Sequence, residues 1–305
     1  MHNVRRQRIR RIGFLIGVGY PQLVTALNEE LRKLGYIDGE NLVLEMRQTQ
    51  RDRSDLAAKS AELAGADLEL IVASSLLFAV EVRKANPAMP MVIATCAGMV
   101  PNGFARSIEH PGGNVTGIDE LPPGVAAKRL TLLKMMAPKV SRVALLSAVE
   151  GHGGHEMQLA DAQAAAPALG ITVKPYVVMS LAEIEQALIA MVDDGMNGLA
   201  NFQGGLSLGN RQMIVDFAAK QRLPAIYQAT LFAEAGGLMA WAPDVAEQYR
   251  MAARYVDQIL RGARPGDLPV QFPPRYYLTI NAAAAKGLNL ALPRSMLNLA
   301  DRVVS

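Results

Sequence analysis

The feature that most constrains this chain is a repeated alternation of short apolar runs with amphipathic segments of helical length. The apolar run Ile12–Ile16 is followed by Pro21–Leu34, where leucines recur at the spacing of a helix. The same pattern of an apolar run and then an amphipathic segment recurs along the first part of the chain. A second series of these patterns begins at Gly124. Strands that alternate with helices indicate parallel sheets covered by helices on both faces. We therefore predict an α/β fold with two doubly wound parallel-sheet lobes.

Three segments are candidates for crossovers between the lobes: Gly117–Gly124, Gly236–Asp244 and Arg264–Pro274. Three crossovers make each lobe discontinuous in sequence. We expect lobe one to comprise residues 1–119 and 245–268, and lobe two to comprise residues 120–244 and 269–305. The predicted strands are Ile12–Ile16, Asn41–Met46, Leu68–Ala73, Met91–Thr95, Asn114–Ile118, Val143–Ser147, Thr172–Val178, Gly198–Phe202, Pro224–Tyr227, Gly237–Trp241 and Tyr276–Ile280.

The composition argues against several classes of protein. The 31 basic and 28 acidic residues give a net charge of +3 and are spread along the chain, whereas a nucleic-acid binder concentrates basic residues on one face. The single cysteine excludes an internal disulfide framework. No apolar run approaches the roughly 20 residues that span a bilayer. We interpret Met1–Arg11 as a basic tail and recognise no signal peptide in it.

In open parallel sheets, ligands bind outside the carboxyl ends of the strands. That rule selects the loops that follow the predicted strands, together with Phe78 one turn into the next helix. The residues that we expect to bind a ligand are Val18, Gly19, Tyr20, Ser74, Ser75, Phe78, Thr95, Cys96, Ala97, Ser147, Phe202, Gln203, Tyr227 and Gln228.

Two kinds of side chain in these loops, serine hydroxyls and aromatic rings, bear on what ligand they bind. Ser74 and Ser75 end a strand and begin a helix, where free N–H groups, the helix dipole and two hydroxyls suit a carboxylate. Plain N-capping explains the serines equally well. Aromatic side chains also fall at or near strand ends, and they either cap the cores or line a cleft for a flat ligand. These aromatic residues are Tyr20, Phe78, Phe202, Tyr227 and Trp241.

The loops contain no arrangement typical of catalysis. Cys96 has no histidine placed to activate it, and His152 with His155 make a poor metal site in what we interpret as a mobile surface loop. Gly17-Val-Gly19 is half of a dinucleotide-binding fingerprint, since Gln22 replaces the third glycine. We therefore expect no catalytic residues, metal or cofactor. An NAD(P)- or nucleotide-sugar-dependent enzyme with a Rossmann-like first lobe remains the alternative, and a repressor core would need DNA-binding helices before the first strand.

Several motifs in order along the chain carry a family resemblance. They include Leu31–Glu45 (LRKLGYIDGENLVLE), His110–Gly117 (HPGGNVTG), Leu223–Tyr227 (LPAIY) and Ile259–Gly262 (ILRG). With them the chain resembles the ABC-transporter substrate-binding proteins that include tryptophan/tyrosine-type binding components. The resemblance implies a type I periplasmic-binding-protein fold, whose two lobes close on a small solute and dock on a membrane permease. It also implies a monomer outside the cytoplasm, with no enzymatic activity and no nucleic-acid partner.

Two departures from the family pattern bear on the ligand. Thr95-Cys-Ala-Gly98 stands where members often carry Asp-Pro, and Gln203 stands where they often carry an aspartate. In amino-acid binders an acid in the cleft typically pairs with the ligand ammonium. We therefore hypothesise that the ligand is not a plain zwitterionic amino acid, but a neutral or carboxylated compound, with aromatic compounds among the candidates.

Overall fold

The computed structural model describes residues 9–50, 54–148, 153–202 and 204–305. The chain divides into two compact units. Unit 1 comprises Met1–Glu120 and Val245–Pro273, and unit 2 comprises Leu121–Asp244 and Pro274–Ser305. Among the described residues, no helix combines the length and the apolarity needed to cross a bilayer.

Strands and helices alternate along most of the described chain. The strands are β1 (Arg10–Gly17), β2 (Leu42–Thr49), β3 (Leu70–Ala73), β4 (Met91–Cys96), β5 (Val115–Asp119), β6 (Arg142–Ala148), β7 (Thr172–Val178), β8 (Gly198–Asn201), β9 (Ala225–Tyr227), β10 (Met239–Pro243), β11 (Tyr276–Asn281) and β12 (Arg302–Val304). The helices are α1 (Pro21–Lys33), α2 (Leu56–Ala64), α3 (Leu76–Ala85), α4 (Val125–Met136), α5 (Gly153–Ala165), α6 (Leu181–Asp193), α7 (Gly205–Gly209), α8 (Arg211–Lys220), α9 (Thr230–Glu234), α10 (Val245–Leu260), α11 (Ala282–Gly287) and α12 (Arg294–Leu299).

The sheet of unit 1 has the strand order β2-β1-β3-β4-β5, and all its pairs are parallel. Side chains of β1 alternate between its two faces, as the period of a strand requires. Phe14 packs in the cluster built with α1 and α10, and Leu15 packs in the cluster that contains residues of α2 and α3. Both faces of β1 are therefore buried, which explains its continuous apolar run.

The sheet of unit 2 has the order β12-β11-β10-β9-β8-β6-β7. Its pairs are parallel except for β10 with β11, which is antiparallel. The prediction of two α/β units with parallel sheets is confirmed, and this one pair departs from it. The helix between the two strands, α10, belongs to unit 1. The connection from β10 to β11 is therefore not a βαβ crossover within unit 2, and the parallel direction that such a crossover imposes is absent.

The last boundary between the units falls at Pro273, five residues after the expected position at residue 268. Backbone hydrogen bonds explain the difference. Val270 donates its N–H to the carbonyl of Ile108 (2.7 Å), and Gln271 donates to Gly117 (3.1 Å). Asp119 in turn donates to the carbonyl of Gln271 (2.9 Å), so this segment is fixed beside β5 in unit 1. The first boundary lies one residue later than expected, after Glu120.

Several local elements differ from the sequence prediction. The sequence predicts one helix over Leu206–Gln221, but the structure has two, α7 and α8, which meet at Asn210. The Asn210 side chain donates to the carbonyl of Leu206. The short elements α9 and β12 were not predicted. Residues 153–155 begin α5, so the described part of the expected mobile loop with His155 is helical, whereas His152 lies outside the described residues.

Candidate functional site

The strand order of unit 1 indicates the edge of its sheet at which a ligand is expected. From β1 the chain passes to β2 on one side, and β3 lies on the other side of β1. The loops that leave the carboxyl ends of β1 and β3 therefore diverge, and such a switch point is where open α/β sheets bind ligands. In unit 2 the corresponding point lies between β6 and β8. The loop after β6 covers residues 149–152, which are outside the described residues.

The loop after β1 offers an aromatic ring at this edge of unit 1. Tyr20 is 37% exposed and immediately precedes α1, whose first residue is Pro21. Gly19 has a φ of +95°, a left-handed conformation that favours glycine. Val18 is also exposed, and its N–H donates to the carbonyl of Thr49 (3.1 Å). The backbone of this loop is held by β2, while the Tyr20 ring remains accessible.

The two serines after β3 differ in their surroundings. Ser74 is buried, donates its N–H to Leu15 (3.0 Å) and forms a side-chain hydrogen bond with Tyr249. Burial raises the pKa of Tyr249, and this hydrogen bond opposes the rise. Ser75 is half-buried at the N-cap of α3, and its hydroxyl makes no capping bond. Ser75 therefore presents both a hydroxyl and the start of a helix at this edge. Ser74, in contrast, is buried and hydrogen-bonded to Leu15 and Tyr249.

The loop after β4 is fixed by polar contacts with its neighbours. Thr95 donates its hydroxyl proton to the carbonyl of Ser74 (2.9 Å), and Ala97 accepts a hydrogen bond from the Asn102 side chain (3.1 Å). Cys96 is buried, and burial raises the pKa of its thiol well above the ordinary value of 9.0, with Asp119 and Glu120 adding to the rise. Cys96 is thus a neutral, packed side chain, and Thr95 and Ala97 are the half-buried members of this loop.

Asp119 fixes the same loop and was not among the residues predicted from the sequence. Its two carboxylate oxygens accept hydrogen bonds from the N–H groups of Gly98 (3.0 Å) and Met99 (2.7 Å). Gly98 has a φ of +86°. An acidic residue at the end of a predicted strand is the sequence signal that could have found it. The carboxylate that lies at this edge of unit 1 is therefore already engaged by backbone donors.

Of the other predicted aromatic residues, Phe78, Phe202 and Tyr227 are buried and Trp241 is partly buried. Phe78 is buried against α2–α3 core residues, and Phe202 is fully buried in unit 2. The Tyr227 ring stacks on Phe232, with centroids 4.7 Å apart, and burial raises the pKa of its hydroxyl. Trp241 lies within β10, where it stacks on Tyr276. Phe202 and Tyr227 are therefore buried in unit 2, and a role for them in ligand binding stays a prediction.

Two further predicted residues of unit 2, Ser147 and Gln228, are buried. Ser147 is buried near the end of β6. Gln228 is also buried, and its amide donates to the carbonyl of Gly204 and to the hydroxyl of Ser207, both at 3.2 Å. Gln228 thus holds the chain that follows β8. Gln203, the residue on which the hypothesis about the ligand charge rests, lies outside the described residues.

Three residues that end strands have a buried polar atom without a hydrogen-bond partner among the described residues: Thr49 (Oγ1), Asn201 (Oδ1) and Tyr227 (the hydroxyl). They end β2, β8 and β9, respectively. Thr49 and Asn201 were not predicted as site residues. For Thr49 the reason is that the second predicted strand ended at Met46, three residues too early.

Among the described residues, no three or more His, Cys, Asp or Glu side chains are grouped so that they could hold a metal ion.

Comparison with known proteins assigns the chain to a family. A family model described as "ABC transporter substrate binding protein" matches residues 12–304. A tyrosine-binding protein of Clostridioides difficile (strain R20291) is 22% identical over 284 residues, which are 92% of this chain and 81% of that protein. This relative covers the same two units.

Solved structures show the same fold. A domain from Streptococcus pneumoniae in complex with L-Trp has a TM-score of 0.88 at 24% identity and covers 97% of this chain and 99% of its own. A ligand-free, open substrate-binding protein with adhesive properties from Clostridium difficile has a TM-score of 0.74 at 22% identity, covering 97% and 100%. The fold is that of the type I periplasmic binding proteins. These matches give no support to a nucleotide-dependent enzyme. The chain belongs to the ABC transporter substrate-binding proteins, non-enzymatic extracytoplasmic components that bind a small ligand and interact with a permease.

Proposed function

We propose that this protein binds a small aromatic carboxylate and that the carboxyl edge of the unit 1 sheet holds it. The observation that carries this proposal is the placement of the exposed Tyr20 ring and the N-cap Ser75 on the two loops of the switch point. An aromatic ring offers a stacking surface, and the N-terminus of α3 favours negative charge. Two relatives support an aromatic ligand, one named for tyrosine and one solved with L-Trp.

The charge of the ligand follows from the acids at this edge. Asp119 accepts two backbone N–H donors, and Glu120 accepts the side-chain amide of Gln248 (2.9 Å). In lobe two, Gln203 stands in place of the aspartate that family members often carry. We therefore infer that the ligand binds without a dedicated carboxylate for an ammonium group. The family resemblance further implies that the protein acts as a monomer in the periplasm or an equivalent compartment. It also implies that the protein has neither catalytic activity nor a nucleic-acid partner.

Calorimetry with matched pairs of compounds tests both parts of the proposal. One pair is tyrosine with 3-(4-hydroxyphenyl)propanoate, and the other is tryptophan with 3-(indol-3-yl)propanoate. In each pair we expect the compound without the amino group to bind at least as tightly. Tenfold tighter binding of the amino acid, about 1.4 kcal/mol, contradicts the inference about the ammonium group. Binding of sugars or aliphatic acids alone contradicts the aromatic ligand.

Substitutions locate the binding edge. Tyr20→Ala removes the exposed ring and should weaken binding of the preferred compound by about tenfold. Leu181→Ala is the matched control, because Leu181 is an exposed apolar side chain on α6 of unit 2 (47% exposed). Equal affinities of the two variants and the unsubstituted protein would place the ligand elsewhere.

A further inference from the structure

A small space lies beside Gly17 at the carboxyl end of β1. Gly17 pairs with Thr49, and each residue is the last of its strand. A methyl group built on Gly17 would lie 3.8 Å from Cζ of Phe78, 3.8 Å from Cε2 of Tyr20 and 3.9 Å from Oγ1 of Thr49. Two aromatic ring edges and one hydroxyl thus converge on a point that glycine leaves open. The same separations are ordinary van der Waals distances, so the space accommodates a carbon atom without strain.

The hydroxyl at this point is unusual. Thr49 is fully buried, and its Oγ1 has no hydrogen-bond partner in the described part of the chain. A buried polar group without a partner destabilises a fold, so most such groups in native proteins are paired. Tyr20 is 37% exposed, so its ring is the wall of this space that solvent reaches. A polar atom of a ligand can supply the missing partner.

We propose that Gly17, Thr49, Tyr20 and Phe78 form a subsite for the ring of the ligand, in which Oγ1 of Thr49 hydrogen-bonds a polar atom on that ring. The proposal rests on the proposed function and specifies the ligand class further. The edges of Tyr20 and Phe78 contact the ring, and Gly17 leaves room for one carbon atom at the edge of that ring. The substituent is a phenolic hydroxyl or an indole N–H, since a threonine hydroxyl both accepts and donates. Gly17 and Thr49 are thus specificity-determining residues.

A site built to hydrogen-bond a substituent discriminates against analogues that lack it, because the protein group is then left unpaired. The test compares 3-(4-hydroxyphenyl)propanoate with 3-phenylpropanoate by calorimetry. We expect the unsubstituted protein to prefer the hydroxylated compound by about tenfold. In Thr49→Val this preference should fall to about twofold or less, with the affinity for 3-phenylpropanoate retained. Thr49→Ser, which keeps the hydroxyl, should keep the preference.

The same variants separate binding from stability. Thr49→Val removes an unpaired buried hydroxyl, so the thermal midpoint of its ligand-free form should stay level or rise. A role confined to folding would move this midpoint and leave the ratio of the two affinities unchanged. Gly17→Ala fills the space and should weaken both ring compounds by about tenfold or more, because the ring and the methyl group occupy the same point. Gly209→Ala is the control, since a methyl group there meets nothing within 4 Å.

The outcomes distinguish the subsite from the proposed function. If the unsubstituted protein binds ring compounds and neither Gly17→Ala nor Thr49→Val alters affinity or preference, the subsite is wrong while the proposed function stands. If the unsubstituted protein binds no ring compound, both are wrong. A loss of preference in Thr49→Val that Thr49→Ser does not show, together with weak binding by Gly17→Ala, is the expected result.

Discussion

The hydroxyl of Thr95 donates a hydrogen bond to the backbone carbonyl of Ser74 over 2.9 Å, which joins the carboxyl ends of β4 and β3. Ser74 immediately precedes the N-cap of α3, so this bond fixes the start of that helix. Thr95→Val keeps the shape of the side chain and leaves the Ser74 carbonyl without this donor. We expect a loss of about 1 kcal/mol and a thermal midpoint about 2–4 °C lower by calorimetry.

Thr95→Ser tests whether the hydrogen bond causes this effect. Serine retains the donor and loses one methyl group, so its thermal midpoint should lie closer to that of the unsubstituted protein. Two variants with equal midpoints would show that the methyl group, and not the hydroxyl, makes the contribution.

Gly117 lies in the His110–Gly117 motif and cannot carry a side chain. A Cβ atom there would lie 2.8 Å from the nitrogen of Ile93 on β4 and closer still to its carbonyl oxygen. Backbone atoms of a central strand cannot move away cheaply. Gly117→Ala should therefore destabilise unit 1 by about 3 kcal/mol or more, measured as a lower midpoint of urea denaturation.

Gly113 provides the control within the same motif. A Cβ atom at Gly113 meets nothing within 4 Å. Gly113→Ala should change the free energy of unfolding by only about 0.5 kcal/mol. Similar losses in the two variants would mean that the close approach to Ile93 does not explain the requirement for glycine at Gly117.

Asp119 holds the loop after β4 through the N–H groups of Gly98 and Met99. Asp119→Asn removes the negative charge and turns an amide group toward one of these donors. We expect a loss of about 2–3 kcal/mol, since hydrogen bonds to charged acceptors are stronger than neutral ones. Hydrogen exchange of the two amides should also become faster. Asp193→Asn is the control at an exposed aspartate, and equal stability of both variants would contradict this role.

The sequence patterns predicted those strands and helices whose apolar residues form a run or recur at a regular spacing. The leucine spacing of α1 and the apolar run of β1 are of this kind, because each reflects burial of its own residues. β2 was predicted to end at Met46, although it continues to Thr49. Its last residues are polar, and pairing with β1 through Gly17–Thr49 extends the strand in spite of them. Such pairing is a tertiary effect that no local pattern records.

Site residues were predicted only from their positions at strand ends. Such a position locates a residue along its strand but does not show whether its side chain is buried. Tyr20 and Ser75 follow β1 and β3 and are not fully buried, and their role in binding stays a prediction. Tyr227 also ends its strand, yet stacking on Phe232 places its ring in the core. The five residues of α9, which supply Phe232, are too short for a periodic pattern, so this burial was not foreseeable. β12 was not predicted because it is likewise too short for a periodic pattern.

Glu30 contributes stability that depends on pH. Burial raises the pKa of its carboxyl, but hydrogen bonds from Arg254 and Lys33 outweigh burial and hold the pKa below the ordinary value of 4.5. A carboxyl whose pKa is lower in the folded state stabilises the fold above its unfolded pKa, and this contribution is lost as pH falls through the folded value. Glu30→Gln should therefore cost about 1 kcal/mol at pH 7 and less at pH 3. Denaturation at both pH values measures it, and an equal cost at both would exclude the charge as the cause.

Cys96 is a sensitive reporter of the unit 1 edge because the sequence contains no other cysteine. Its side chain is buried at the end of β4, and burial raises the pKa of its thiol well above 9.0. The thiolate is the form of cysteine that attacks thiol reagents, so the folded protein presents neither the reactive form nor access to it. Reaction with a disulfide reagent at pH 8 should be slower than in denaturant by about a thousandfold or more, since it requires local opening. Equal rates in the folded and unfolded protein would show that Cys96 is accessible at the edge. Asp119→Asn, which loosens the loop after β4, should accelerate the reaction of the folded protein, whereas Asp193→Asn should not.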